Sequence, residues 1–427
     1  MNLPAAMLIA VGILTALPAG GEERLTLRQC VEIAMKNHPN LRAADGNVAA
    51  AEGRLLQSGS AYYPQVQAST GYSENHSLGA FGDSVTKMYA TTIQANQVLY
   101  DFGRTGGNRD AAKAGRQSAE QERTRTIQEV VLNVKQAYYA LLQSQRLLIV
   151  AQKTLDQSEV HLLQAEAFFR AGSKPRFDVT RAEVDVNSSR LGIITAQNRV
   201  RVSAITLNQA MGTEPGRTVT VEEREFQLVT MPSLSFTEAE ALRNRPELLK
   251  AESDVEMTRS RVTAERSGYW PTLSANGSYT WANGTAEMGP FKGDVGDSWN
   301  AGITLTVPLF EGRVTEGRVS EAKANLLTAE AQRDVLRQAV LLEVNQAYAD
   351  LESAAARVGV TESSLKTAQE NLSLAQGRYR AGVGPSIEVT DAEVAALKAE
   401  TDHVQAQYDY QLAVAKLERE MGAVTKD

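Results

Sequence analysis

Apolar side chains recur at a seven-residue spacing along two stretches of this 427-residue chain. Val134, Leu141, Leu148, Leu155, Leu162 and Phe169 form the first row, and Val344, Leu351, Val358, Leu365, Leu372 and Tyr379 the second. A strict heptad repeat predicts long helices in left-handed coiled coils. Three residues on from most of these positions sits a small residue, such as Ala137, Ser144 and Ala165 or Ala347, Ala354 and Ala375, which lets neighbouring helices approach closely. Uninterrupted from near 110 to 171, the first helix is about 90 Å long at roughly 1.5 Å per residue. Gly172 and Gly382 stand where a left-handed C-cap residue belongs, and Pro175 and Pro385 follow, so the chain turns back. Second helices then run to Met211-Gly212 and Met421-Gly422, making two long helical hairpins.

Elsewhere the period changes from seven to two. Residues 65–72 and 272–279 alternate apolar and polar, and returning partners span about 89–99 and 299–309. Strands of about ten residues with this alternation suit a tilted crossing of an outer membrane. Connecting loops near 74–88 and 282–298, rich in Gly, Ser, Asn and Asp, then face outside. Trp270, Trp281 and Trp299 lie at or just beyond strand ends, together with Tyr63, Tyr89 and Phe310, where an aromatic girdle belongs. Four strands leave two open edges, which lipid does not tolerate, and a closed single-chain barrel needs about eight or more. Several chains must share the barrel; three give about twelve strands and twelve helices to continue the tube.

The whole pattern is written twice. Residues 128–212 reappear at 338–422 without a gap: Gln136-Ala137-Tyr138 matches Gln346-Ala347-Tyr348, and Arg170-Ala171-Gly172 matches Arg380-Ala381-Gly382. Upstream, Tyr62-Tyr63-Pro64 resembles Tyr269-Trp270-Pro271. A unit this long is a duplicated domain-sized element rather than a short solenoid repeat. It divides the chain into a first repeat, 22–212, a linker, 213–233, a second repeat, 234–422, and a tail, 423–427. The first 21 residues are apolar and uncharged and end in small residues, as a secretory signal does, although no Lys or Arg precedes the apolar run.

Composition narrows the function classes. A net charge of -7 argues against nucleic acid as a partner. Cys30, the single cysteine, excludes an intramolecular disulfide or a paired-cysteine metal site, and its apolar neighbours Leu27, Val31 and Ala34 suggest burial. His38, His76, His161 and His403 are scattered, with none three or four residues from another, so no helical metal site is expected. Gly103, Gly106 and Gly107 lack the lysine of a phosphate loop. No cofactor and no enzymatic activity are expected. A passive porin standing alone, or a coiled-coil surface scaffold without a pore, are the alternatives to a duct.

The strand exits Val98-Leu99-Tyr100-Asp101-Phe102-Gly103-Arg104 and Val307-Pro308-Leu309-Phe310-Glu311-Gly312-Arg313, the Asn-x-Pro-x-Leu openings near 37–41 and 244–248, and the Arg-Ala-Gly tips together resemble the TolC-like trimeric outer-membrane efflux duct family. The resemblance covers essentially the whole mature chain. It implies a mainly α fold with a transmembrane β part: duplicated helical hairpins in a trimeric α-barrel, and four strands per chain in a shared 12-strand barrel. It also implies an exit duct of a tripartite efflux pump or type I secretion system, set in outer-membrane lipid with a long periplasmic portion. Its tip turns, at Gly172, Pro175, Gly382 and Pro385, would dock a periplasmic adaptor fed by an inner-membrane transporter. By the same resemblance Asp178 and Tyr379 hold gate positions, a tyrosine hydroxyl donating to a carboxylate. Gly384 stands where some members carry a gate arginine, and Arg380 is the nearby substitute. Glu388 and Asp391 fall at the acidic ring of the entrance, where clustered carboxylates favour cations.

Overall fold

The computed structural model describes residues 24–79, 82–223, 226–288 and 291–423. The expected signal segment and the tail beyond 423 lie outside them. In chain order come β1 (Arg24–Leu25), α1 (Leu27–Asn37), α2 (Pro39–Ser58), β2 (Gln65–Gly79), β3 (Gly82–Tyr100), α3 (Arg104–Arg170) and α4 (Arg176–Ala210). After β4 (Thr220–Val221) the same path repeats: α5 (Leu234–Asn244), α6 (Pro246–Arg266), β5 (Thr272–Met288), β6 (Phe291–Val295), β7 (Ser298–Thr306), α7 (Val314–Arg380) and α8 (Ser386–Glu420). The helices α3 and α7 have 67 residues each and span about 100 Å. Their strand-proximal halves pack in the lateral order α2, α3, α6, α7, and their far halves in the order α4, α3, α8, α7. No helix among the described residues is long and apolar enough to cross a membrane.

The expected heptad rows hold in α7, where Val344, Leu351, Val358, Leu372 and Tyr379 are buried, but not at the end of α3. Phe169 is exposed and Phe168 packs inward instead. A straight helix drifts by about 20° per heptad, enough over five heptads to exchange neighbouring positions. The helix α3 also begins six residues earlier than the pattern predicts. Its start is fixed by Asp101, whose carboxylate accepts from the backbone N–H of Thr105 at 2.8 Å. Gly107 lets α3 touch α6, since a Cβ there would lie 2.8 Å from the Ala264 nitrogen. The glycine-rich patch is thus a helix contact.

Five of the strands form one sheet in the order β2, β3, β5, with β6 and β7 sharing the far side of β5. The segments expected as loops are largely strand: β2 pairs with β3 from Gln65 opposite Asn96 up to Gly79 opposite Gly82. The alternation persists there, but with charge in place of apolar side chains. Glu74 faces Lys87 across the strands, with Nζ to carboxylate at 3.1 Å, so a hydrophobicity pattern ends too early. One face carries Val66, Ala68, Ile93, Ala275, Ile303 and Leu305; the other carries Ser, Thr, Asn and Gln, with Met88, Ala90, Ala282 and Ala286 toward its far end. The outer edges of β2 and of β6 and β7 have no partner strand among the described residues.

Midway down the helices a belt ties the two repeats. Cys30, Val31, Val134, Leu141, Leu207 and Met211 form one core. The Tyr138 hydroxyl donates to the Glu222 carbonyl at 2.5 Å, anchoring α3 to the linker beyond the short parallel β1–β4 pair. Arg245, 2% exposed, is enclosed by the carboxylates of Glu247, Glu343 and Glu420. Removing one partner of such a buried cluster leaves uncompensated charge.

All four long-hairpin helices end in the same Schellman turn, with left-handed Gly172, Gly212, Gly382 and Gly422. Their surroundings differ. A Cβ on Gly172 meets nothing within 4 Å, whereas one on Gly212 lies 2.8 Å from the His38 Cα. Left-handed backbone costs a non-glycine residue about 1–2 kcal/mol, and overpacking adds about 1–3 kcal/mol. Gly172→Ala is therefore expected to cost only the first, and Gly212→Ala both. Thermal unfolding of the folded protein checks this; equal losses for the two variants contradict the belt contact as a stabilising feature.

Candidate functional site

A set of buried polar groups, including His161, Asp178, Ser386 and Thr390, lies where the tip of the α3–α4 hairpin meets that of α7–α8. Each tip opens its second helix with a proline N-cap, Pro175 or Pro385, and both prolines and both tip glycines are exposed. The rings of His161 and Phe168 on α3 stand 5.1 and 5.4 Å from the ring of Tyr379 on α7. His161 Nε2 and the Ser386 hydroxyl share a buried hydrogen bond of 3.2 Å. Thr390 donates to the Asp185 carboxylate at 3.2 Å, and Lys174 Nζ donates to the Gly384 carbonyl at 3.1 Å. Lys174 also sits 5.5 Å over the Tyr379 ring, a cation–π distance. Together these bonds close a seam between two unlike hairpins.

The expected gate pair is brought near but not joined. Tyr379 is 0% exposed and Asp178 8%, yet the Tyr379 hydroxyl has no hydrogen-bond partner among the described residues. Burial, and then the negative charge of Asp178, hold the Tyr379 hydroxyl above its ordinary pKa. Arg380 is exposed, and its Nε rests 3.3 Å from the Gln376 carbonyl of its own helix. The cation facing this tyrosine is Lys174 instead. Glu388 pairs with Arg378 at 3.3 Å, and Asp391 is exposed one turn further on.

Glu393 shows a feature the pattern reading missed. Its carboxyl is pushed up to about 7, chiefly by burial and then by the charge of Asp185, with a Gln376 hydrogen bond pulling it back. One of its oxygens is buried without a partner. In the duplication Glu393 corresponds to Glu183, which is exposed, so no periodicity distinguishes the two. The roles of His161, Lys174 and Ser386 leave no signal in the sequence for the same reason: each acts across hairpins, not along its own helix.

At the opposite end, aromatics occupy two levels of the sheet's apolar side. The rings of Tyr72 and Tyr89 pack at a tilt 4.7 Å apart and those of Tyr279 and Trp281 4.5 Å apart, with Trp299 directly opposite Tyr279. Phe102 stacks on Trp270 at 5.4 Å, while Tyr63 and Phe310 are exposed just outside the strand ends at Gln65 and Thr306. From Trp270 to Trp281 the strand covers about 36 Å, or about 28 Å of height at a tilt near 40°.

A two-faced sheet continued by a single layer of long helices defines a channel subunit. The profile of the family described as "Outer membrane efflux protein" matches residues 30–213 and 239–423. The outer membrane efflux protein BepC of Brucella suis is 25% identical, over 99% of this chain and 90% of its own length. The outer membrane protein TolC of Vibrio cholerae is 23% identical, over 92% of this chain and 90% of its own. Among solved structures, CusC superposes with a TM-score of 0.82 at 20% identity, covering 93% of this chain and 92% of that one. VceC from Vibrio cholerae gives 0.80 at 20% identity, covering 93% and 96%. The chain belongs to the outer membrane efflux protein family, a family of passive channels, and is an outer-membrane exit duct for efflux or secretion.

The seam titrates in two opposed ways. The Glu393 carboxyl is raised in the docked hairpins, so its contribution is complete below its ordinary value of 4.5 and is lost as pH rises through about 7. Burial lowers the His161 pKa, while Asp185 and Asp178 oppose the shift, so His161 favours docking above 6.5 and resists it in acid. Raising the pH from 6 to 8 is expected to loosen the tip and accelerate hydrogen exchange in residues 372–396. The Glu393→Gln variant should lose that slope. A wild-type exchange rate at the tip that follows only intrinsic amide chemistry contradicts the assignment.

Proposed function

We propose that three copies of this chain close one barrel of about twelve strands and one tunnel of helices. Its two halves, 22–212 and 234–422, act as repeats joined at the belt by 213–233. The observation that carries this reading is the pair of sheet edges, on β2 and on β6 and β7, that no strand among the described residues covers. The helical layer is equally open: Val184, Leu191 and Val202 on α4, and Leu342, Val360 and Leu374 on α7, are exposed large apolar residues along its outermost helices. Trp270, Trp281, Trp299, Tyr63, Tyr89 and Phe310 then meet the two lipid interfaces. A stand-alone porin has no use for hairpins about 100 Å long, and a scaffold without a pore has none for a two-faced sheet.

The tip, by this reading, is both gate and docking surface. A periplasmic adaptor engages the exposed turns at Gly172, Pro175, Gly382 and Pro385, and an inner-membrane transporter supplies cargo through it. Opening requires the α7–α8 tip to leave the α3–α4 tip, which breaks the Lys174, His161 and Thr390 bonds. Asp178, Tyr379 and Arg380 become free to exchange partners between neighbouring chains, and Glu388 and Asp391 line the entrance. Lys174→Ala removes one hydrogen bond of about 1 kcal/mol, about a fivefold shift toward opening in each protomer. Single-channel recording in planar bilayers should show a higher open probability for the variant. An unchanged open probability moves the gate away from the seam, and an absence of any channel in the wild type removes the duct.

A further inference from the structure

The strand register sorts the sheet's charged residues completely. Within the described strands Glu74, His76, Asp83, Lys87, Glu287, Lys292 and Asp294 all share the face of Val66 and Ile93, and all lie beyond the aromatics Tyr72, Tyr89 and Trp281. The opposite face carries no Asp, Glu, Lys, Arg or His in any of the described strands. One rung across it reads Ser69, Thr92, Thr280, Ser298, and the next Gln67, Gln94, Ser278, Asn300. Hydroxyls and carboxamides bond laterally along these rungs, as between Thr92 and Thr280 at 2.9 Å.

We infer that the barrel portion of this duct is a charge-neutral, hydrogen-bonding lumen that passes anionic, cationic and zwitterionic cargo alike, so that charge is discriminated only in the helical portion. The inference rests on the reading of the sheet as a pore wall. Channels select for charge by rings of ionised side chains, and low-dielectric walls focus the field of any such ring. The described strands place no such ring on this face. Its hydroxyls and carboxamides each donate and accept, so they exchange hydrogen bonds with a passing ammonium or a passing carboxylate without a net potential. The contrast with the tip is direct, since Glu388 and Asp391 stand three residues apart there.

Single cysteines introduced into the full-length protein in vesicles test this. Thr92→Cys, Asn276→Cys and Asn300→Cys lie on the neutral face, and Ala275→Cys on the apolar face. Cys30 is 0% exposed, and burial pushes its thiol up to about 12, so it gives no background. Each variant is treated with methanethiosulfonates bearing trimethylammonium or sulfonate groups, and the ratio of the two rates is compared with that of a free thiol. Because both reagents attack the same thiolate, the ratio reports local potential alone. The expected ratio at all three neutral-face positions is within about twofold of the free-thiol value, with Ala275→Cys unreactive; a bias of about tenfold or more toward either reagent overturns the neutral lumen. Failure of all three neutral-face cysteines to react, or reaction at Ala275→Cys alone, overturns the pore wall itself, an outcome separate from a charge bias.

Discussion

A sheet with two bare edges cannot stand in hydrocarbon, because every unpaired N–H and C=O there costs several kcal/mol. The edges on β2 and on β6 and β7 are the constraint on which the rest of the architecture depends. Pairing between copies satisfies those edge groups without any further element. Once strands are shared in a ring, the helices inherit its order. The turns at Asp101–Arg104 and Glu311–Val314 each spend two left-handed residues to pass the chain directly from strand to helix. The lateral sequence of strands thus becomes the lateral sequence of helices, and a barrel is continued by a tunnel without a separate scaffold.

Duplication supplies the parts, and departures from it supply the moving surface. The two repeats follow the same path and share their Schellman ends and their proline N-caps. At the tip they diverge: His161 corresponds to Asn371, Lys174 to Gly384, and exposed Glu183 to half-buried Glu393. One hairpin therefore offers a cation and an imidazole, the other a carbonyl, a hydroxyl and a tyrosine ring. Among the described residues, three of the five buried side-chain atoms without a partner, on Arg181, Tyr379 and Glu393, belong to this end of the molecule. A fully satisfied polar network rigidifies its surroundings; a partly satisfied one leaves the seam poised for new partners.

The large features were legible because they are periodic. Heptads announced the long helices, Gly172 and Gly382 their ends, and alternation the strands. What escaped were features held across elements. The upper hairpins continue beyond residue 73 because Glu74 and Lys87 replace apolar neighbours, and hydrophobicity cannot report a polar strand. Phe168 rather than Phe169 enters the core because helical drift accumulates along α3. The bond expected between Tyr379 and Asp178 is not made within one chain, and Lys174 stands beside the ring instead. Glu393 is marked only by burial opposite Asp185, which no spacing along the chain reveals.

The most direct measurement is the native mass of the detergent-extracted protein, by light scattering with the detergent contribution subtracted. The account predicts a species of about three chains with no monomer in equilibrium, since each copy covers its neighbour's bare strand edge. A stable, folded monomer in detergent, with its sheet intact, contradicts it.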